Sequence, residues 1–158
     1  MKESPQMKEN EKNMRAGAIS LSGFLGEDTR SLIQILIDDD SRVRRLNRTH
    51  ARIADKMKYF RDKGLAGLGE FITVDNNFLV KVETVRGKIP SPFEEDRRII
   101  GKINTTVRNK KTDREITYTD MLIHLVESHG FYEGKGSPFR VDPETLISVL
   151  GVEETAED

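Results

Sequence analysis

The chain has 158 residues, of which 35% are hydrophobic and 34% are charged, and its formal net charge is −1. This length suffices for one domain with a core, and the high charge content predicts some exposed or disordered chain. Cysteine is absent, which excludes disulfides, zinc–thiolate sites and thiol catalysis. The N-terminus is polar, and no apolar run approaches the ~20 residues that a membrane span needs, so we expect a cytoplasmic protein without a membrane partner.

The pattern predicts an α+β fold in a single compact domain over residues 16–151. Residues 1–15 are polar, mixed in charge and aperiodic, so we expect them to be disordered. Residues 152–158 form an acidic tail. The first predicted helix is Asp28–Ile37, and Asp38–Asp40 are expected to end it as a turn and N-cap, a Mg²⁺ site being the alternative.

Residues 41–63 admit two interpretations. One has a short helix over 41–46, a turn, and a second helix over 50–63 that Thr49 caps. The other is a continuous helix over 41–63. Its apolar residues recur at intervals of three and four on one stripe: Val43, Leu46, His50, Ile53, Met57 and Phe60.

After residue 70 the apolar residues recur at every second position, which is typical of strands. Phe71–Val74 and Phe78–Val85 predict a hairpin, and the two prolines of Gly87–Phe93 predict a loop. The remaining predicted elements are a second hairpin (Lys102–Arg108 and Glu115–Tyr118), a helix over Asp120–Ser128 that Thr119 caps and Gly130 ends, and a last helix over Pro143–Leu150.

The charges are unevenly distributed along the chain. Residues 41–63, here the basic block, hold nine Lys or Arg and two acids, residues 97–114 carry +6, and residues 142–158 carry −6. On a continuous helix with ~100° per residue, one line of cations would comprise Arg45, Arg52, Lys56 and Lys63. Such a ridge predicts a polyanionic partner, and the alternative is a solvated face that the acidic segments balance.

The order of helices followed by a hairpin, together with IADKMKYFRDKGLAGLGEF, resembles the recognition helix and wing of a winged helix over residues 24–86. The resemblance implies that helix 50–63 lies in the major groove, with the hairpin tip at Asp75–Asn77 as the wing. The nucleic-acid contacts expected from the charges and this resemblance are Arg45, Arg48, Thr49, Arg52, Lys56 and Lys63, with His50 near the leading end. We therefore expect a nucleic-acid-binding or regulatory module.

Residues 87–151 carry a second resemblance. The stretch TYTDMLIHLVESHGFYEGKGSPFR, preceded by RGKIPSPF, resembles a family of small bacterial cytosolic proteins of uncharacterised activity. The resemblance implies a bacterial cytosolic protein, and it brings no catalytic residues with it.

The glycine-rich loop, residues 129–140 (HGFYEGKGSPFR), lacks the spacing and strand–helix context of a phosphate-binding P-loop. A looser anion site formed by Lys135, Ser137 and Arg140 is one interpretation. A loop that its aromatic residues anchor in the core is another. His124 and His129 are candidates for proton transfer, which would make the protein a small enzyme. Because these histidines lie about 140° apart on a helix, we expect no metal site, and no motif predicts a cofactor.

A third interpretation is a protein-interaction module. The apolar stripe between residues 43 and 60 would then pair two copies of the chain as a homo-oligomer.

Overall fold

The computed structural model describes residues 3–155 and has the predicted α+β fold, in which N-terminal helices precede a four-stranded antiparallel sheet and C-terminal helices. None of the helices in this described part is long and apolar enough to cross a membrane. The elements are α1 (Pro5–Asn13), α2 (Leu32–Arg45), α3 (His50–Gly64), β1 (Ile72–Val74), β2 (Phe78–Pro90), β3 (Ile99–Asn109), β4 (Arg114–Thr119), α4 (Asp120–His129) and α5 (Pro143–Leu150).

The N-terminal segment differs from the prediction of disorder. Ser4 caps α1 by accepting a hydrogen bond from the Met7 N–H, and Asn10 is fully buried. The Asn10 side chain donates to the Glu95 carboxylate at 2.9 Å and accepts from the Glu94 N–H at 3.1 Å. These partners lie more than 80 residues away along the chain, so local composition gives no sign of them. Residues 1 and 2 of the predicted disordered segment and residues 156–158 of the predicted acidic tail lie outside the described residues.

Helix α2 runs without interruption through Asp38–Asp40, so the predicted helices over 28–37 and 41–46 form a single helix instead. The three carboxylates do not end it, because each has a cationic partner: Arg30 for Asp38, Arg140 for Asp39, and Arg44 for Asp40.

The break between α2 and α3 was predicted correctly, and the continuous helix over 41–63 was wrong. Asn47 adopts a left-handed conformation with φ of 58°, and the Thr49 hydroxyl accepts from the Arg52 N–H at 3.2 Å. Side-chain oxygens of this kind satisfy the free N–H groups of a helix's first turn. Thr49 is thereby committed to capping.

The two predicted hairpins form one sheet in the order β1-β2-β3-β4. The long antiparallel pairing of β2 with β3, in which Val80 lies opposite Val107, joins them. An irregularity in register between Val85 and Lys88 lets β2 continue to Pro90, where the sequence predicted a loop. Bulges of this kind absorb an extra residue and bend the strand without ending the pairing.

The main hydrophobic core lies between this sheet and helices α3, α4 and α5. Gly64 packs so closely on β2 that an added Cβ would lie 2.6 Å from a methyl carbon of Val80. Most of the apolar stripe is buried here in the chain's own core, namely Val43, Ile53, Met57 and Phe60. Because these side chains are already covered, they offer no surface for pairing with a second copy.

Candidate functional site

Five cations of the basic block are paired with carboxylates of the same chain. Salt bridges join Arg42 to Glu144, Arg44 to Asp40, Arg48 to Glu154, Lys58 to Glu127, and Arg61 to Asp120. The acidic C-terminal segment supplies two of these partners. Much of the charge of the basic block is therefore balanced within the fold. This agrees with the second interpretation of the basic block, a solvated face that acidic segments balance.

The remaining cations of α3 lie on its outer face. Within residues 3–155, no carboxylate oxygen lies within 4.0 Å of the charged nitrogens of Arg52, Lys56 or Lys63. The ammonium groups of Lys56 and Lys63 lie 5.2 and 5.8 Å from the centre of the Tyr59 ring between them. We call the surface formed by Arg52, Lys56 and Lys63 the α3 ridge. It spans about 16 Å along the helix at 1.5 Å per residue.

The other predicted nucleic-acid contacts are placed differently. Arg45 is exposed but ends α2, so the break at Asn47 removes it from the line of α3. The Arg48 guanidinium donates to the Val152 carbonyl oxygen at 3.0 Å, which ties down the C-terminal segment. At the hairpin tip, the Asp75 carboxylate accepts a hydrogen bond from the Tyr59 hydroxyl at 2.8 Å and so folds toward α3.

Two aromatic rings anchor the glycine-rich loop: Phe131 packs in a cluster with Phe24 and Phe93, and Tyr132 packs in the main hydrophobic core. Phe131 and Tyr132 are fully buried, whereas Phe139 is about half exposed. Gly134 lies directly over residue 25, since an added Cβ would be 2.2 Å from the Leu25 carbonyl oxygen. The glycine thus permits a close backbone approach, as the packed-loop interpretation expected.

The three predicted anion-binding residues have separate roles in the structure. Arg140 forms two hydrogen bonds of 3.0 Å with Asp39, and the side chains are 5% and 1% exposed. Ser137 donates to the buried Glu133 carboxyl group at 2.8 Å. Burial raises the pKa of Glu133 to about 8, against the lowering effect of Ser137 and Arg140. Only Lys135 keeps an exposed side chain.

His124 and His129 converge on a third residue that the sequence did not indicate. Their Nε2 atoms lie 2.8 and 2.7 Å from Oδ2 of Asp96, in the short 3₁₀ turn after β2. The Ser91 hydroxyl donates to the same oxygen at 2.9 Å, and the Arg98 N–H donates to Oδ1 at 2.8 Å. Burial disfavours the carboxylate, but these hydrogen bonds outweigh it and hold the pKa of Asp96 at about 2.

His50 belongs to a second network. Its Nδ1 lies 2.8 Å from the Tyr132 hydroxyl, and its Nε2 lies 3.0 Å from Oδ1 of Asp40. Because a carboxylate can only accept, Nε2–H of His50 donates to Asp40, and the buried Tyr132 hydroxyl, whose pKa burial raises, completes the network at Nδ1. The ring is therefore turned inward, and it is not an outward contact of a recognition helix.

Both histidine networks border one cavity of about 620 Å³ between α2, α3 and the end of α4. Asp40, His50 and His129 line it, together with Arg44 and Glu127. Lys135 and Arg140 line a different, more open depression, so they do not meet His129 in one cleft. A single catalytic or anion-binding centre made of these three residues is therefore absent from the described part of the chain.

Comparisons with family models, with curated proteins and with solved structures gave no match to this chain. Two features of the structure bear on function, the α3 ridge and the histidine-lined cavity.

Proposed function

We propose that this protein binds nucleic acid in the cytoplasm through the phosphate backbone, using the α3 ridge. The observation that carries the proposal is the separation of charges on α3. Arg61 and Lys58 are neutralised by acids of α4, but Arg52, Lys56 and Lys63 are left facing outward without a carboxylate partner among residues 3–155. Like charges held on one rigid surface repel one another, and a polyanion relieves that repulsion.

The same geometry favours binding without strong sequence preference. Thr49 is engaged in capping and His50 faces Tyr132, so two of the residues expected at the leading end of a recognition helix are not free to reach bases. Lysine and arginine contacts to phosphates position a protein on nucleic acid but carry no sequence information. The resemblance of residues 24–86 to a winged helix is compatible with a nucleic-acid-binding role of this kind.

The salt dependence of binding tests the proposal. With three phosphate contacts the slope of log K against log salt is about −2.7, which predicts a loss of about 40-fold in affinity for duplex DNA between 50 and 200 mM salt. Fluorescence anisotropy with labelled duplex and single-stranded probes measures both quantities. The proposal is refuted if neither the duplex nor the single-stranded probe binds at low salt.

Matched variants locate the contact. Arg52→Glu and Lys56→Glu each should weaken binding at every salt concentration and make the slope shallower by about 1 or more. Lys135→Glu makes the same change in charge at an exposed lysine outside the α3 ridge and should leave the slope unchanged. Glu153→Gln removes an acid that shares a surface depression with Arg52 and Lys56 and should strengthen binding. Equal effects of Lys135→Glu and Arg52→Glu would contradict the assignment.

A further inference from the structure

The carboxylate oxygen Oδ2 of Asp96 has more hydrogen-bond donors around it than it has favourable positions for them. The donors are Ser91, His124 and His129, all within 2.9 Å. A carboxylate oxygen offers about two lone-pair directions, so three close donors crowd it. A divalent cation that replaced the two imidazole protons would satisfy the same nitrogen and oxygen atoms with ligand bonds.

We propose that Asp96, His124 and His129 form a binding site for a first-row transition-metal ion of the Zn²⁺ type. Two imidazoles and one carboxylate are a donor set that suits Zn²⁺, and their ligand atoms all lie within 4.8 Å of one another. This site is separate from the α3 ridge, and it does not depend on nucleic-acid binding.

Accepting the ion requires the three ligand atoms to reach a common spacing. Ligand bonds of about 2.0–2.1 Å in tetrahedral geometry place neighbouring ligand atoms about 3.3 Å apart. The two N–O separations, now 2.8 and 2.7 Å, would open by about half an ångström each, and the two Nε2 atoms, which lie within 4.8 Å of each other, would adopt the same spacing. The two histidine side chains are 8% and 15% exposed, so the ligands are largely enclosed by protein.

The surrounding groups hold the ligands in place. Arg98 N–H and the Ser91 hydroxyl orient the carboxylate, and the Phe93 ring stacks on His129 with 3.7 Å between ring centres and an angle of 7°. Metal binding at Nε2 leaves the proton of His124 on Nδ1, which lies 3.3 Å from the Ser128 hydroxyl oxygen. Outer contacts of this kind fix the tautomer and orientation of a metal-binding histidine.

Three protein ligands leave a fourth tetrahedral position, which is the pattern of open zinc sites. Of the three ligands, His129 alone lines the 620 Å³ cavity, so this is the side from which a water molecule or a small ligand would approach the ion. The two histidines lie about 140° apart on the helix, which predicted no metal site. Their Nε2 atoms nevertheless reach one carboxylate oxygen, because Asp96 comes from a distant turn of the chain.

The test is titration of tag-free, EDTA-treated protein with Zn²⁺ by calorimetry, and with Co²⁺ by visible absorption. We expect one ion per chain, a tetrahedral Co²⁺ spectrum and a higher unfolding temperature with Zn²⁺. Asp96→Asn keeps the size of the side chain, His129→Gln keeps an uncharged polar group, and each removes one proposed ligand. Each should weaken Zn²⁺ binding more than about 100-fold, since loss of outer contacts alone costs 10–100-fold.

His50→Gln is the matched control, because it changes the third histidine of the chain, which lines the same cavity but lies outside the cluster. Its Zn²⁺ affinity should equal that of the unchanged protein. Circular dichroism in EDTA establishes that each variant is folded. The proposal is overturned if the protein takes up no stoichiometric Zn²⁺, if folded Asp96→Asn and His129→Gln bind it as the unchanged protein does, or if His50→Gln loses binding to the same extent.

Discussion

Replacing Arg140 with alanine should destabilise the fold strongly, because Arg140 neutralises a carboxylate that has almost no contact with water. Asp39 is 1% exposed and receives two hydrogen bonds of 3.0 Å from the Arg140 guanidinium. Removing one partner of a buried ion pair costs about 3–5 kcal/mol. The Arg42 guanidinium, 3.8 Å from Oδ1 of Asp39, offsets part of the charge that is left, so we expect the lower end of this range. For a chain of this size the corresponding fall in unfolding temperature is about 6–20 °C.

Arg44→Ala is the matched control for this prediction. Arg44 also pairs with an aspartate, at 2.9 Å from Asp40, but its side chain is 79% exposed. Exposed ion pairs contribute about 0–1 kcal/mol, so the control should lie within that range. Urea denaturation followed by circular dichroism gives both free energies of unfolding. If the two variants differ by less than about 1 kcal/mol, the loop does not depend on this buried pair and the reasoning fails.

Two further predictions concern the same loop. Gly134→Ala should lower the free energy of unfolding by about 1–3 kcal/mol, because the new methyl group would overlap the Leu25 carbonyl, while Gly101→Ala, with no atom within 4 Å, should be nearly neutral in urea denaturation. Glu133 has a pKa of about 8 in the fold against 4.5 ordinarily, so the folded state holds the proton more tightly and stability should fall as the pH rises across that interval. Glu133→Gln should lose this decline, and parallel pH profiles for the two proteins would contradict the assignment.

The elements that the sequence predicted well are those with local signals. Thr49 and Thr119 cap α3 and α4 with their own hydroxyls, and Gly130 ends α4 with φ of 61°. Helix Pro143–Leu150 was predicted to the residue, because proline at its start and glycine after its end mark both boundaries. Each of these signals acts within a few residues of the boundary that it defines.

The features that the sequence missed depend on partners far away along the chain. Helix α1 is held by Glu94 and Glu95, and Asp38–Asp40 do not stop α2, because arginines from other segments neutralise them. Asp96 lies 28 and 33 residues before its two histidine partners, with no recognisable spacing motif. Charge counts along the sequence could show a basic block, but only the fold shows which of its cations are already paired.

The end of α4 connects the two histidine networks. The glycine-rich loop that begins there therefore acts by positioning side chains, whereas its composition suggested an anion-binding site. Gly130 turns the chain, and an added Cβ there would lie 2.9 Å from Nε2 of His50. His129 immediately before it faces Asp96, and Tyr132 two residues after it forms a hydrogen bond with His50. One short turn therefore brings both histidine networks to the same cavity. The rings and glycines of the loop position this turn, whereas Arg140 is committed to the buried pair with Asp39 and Lys135 faces solvent.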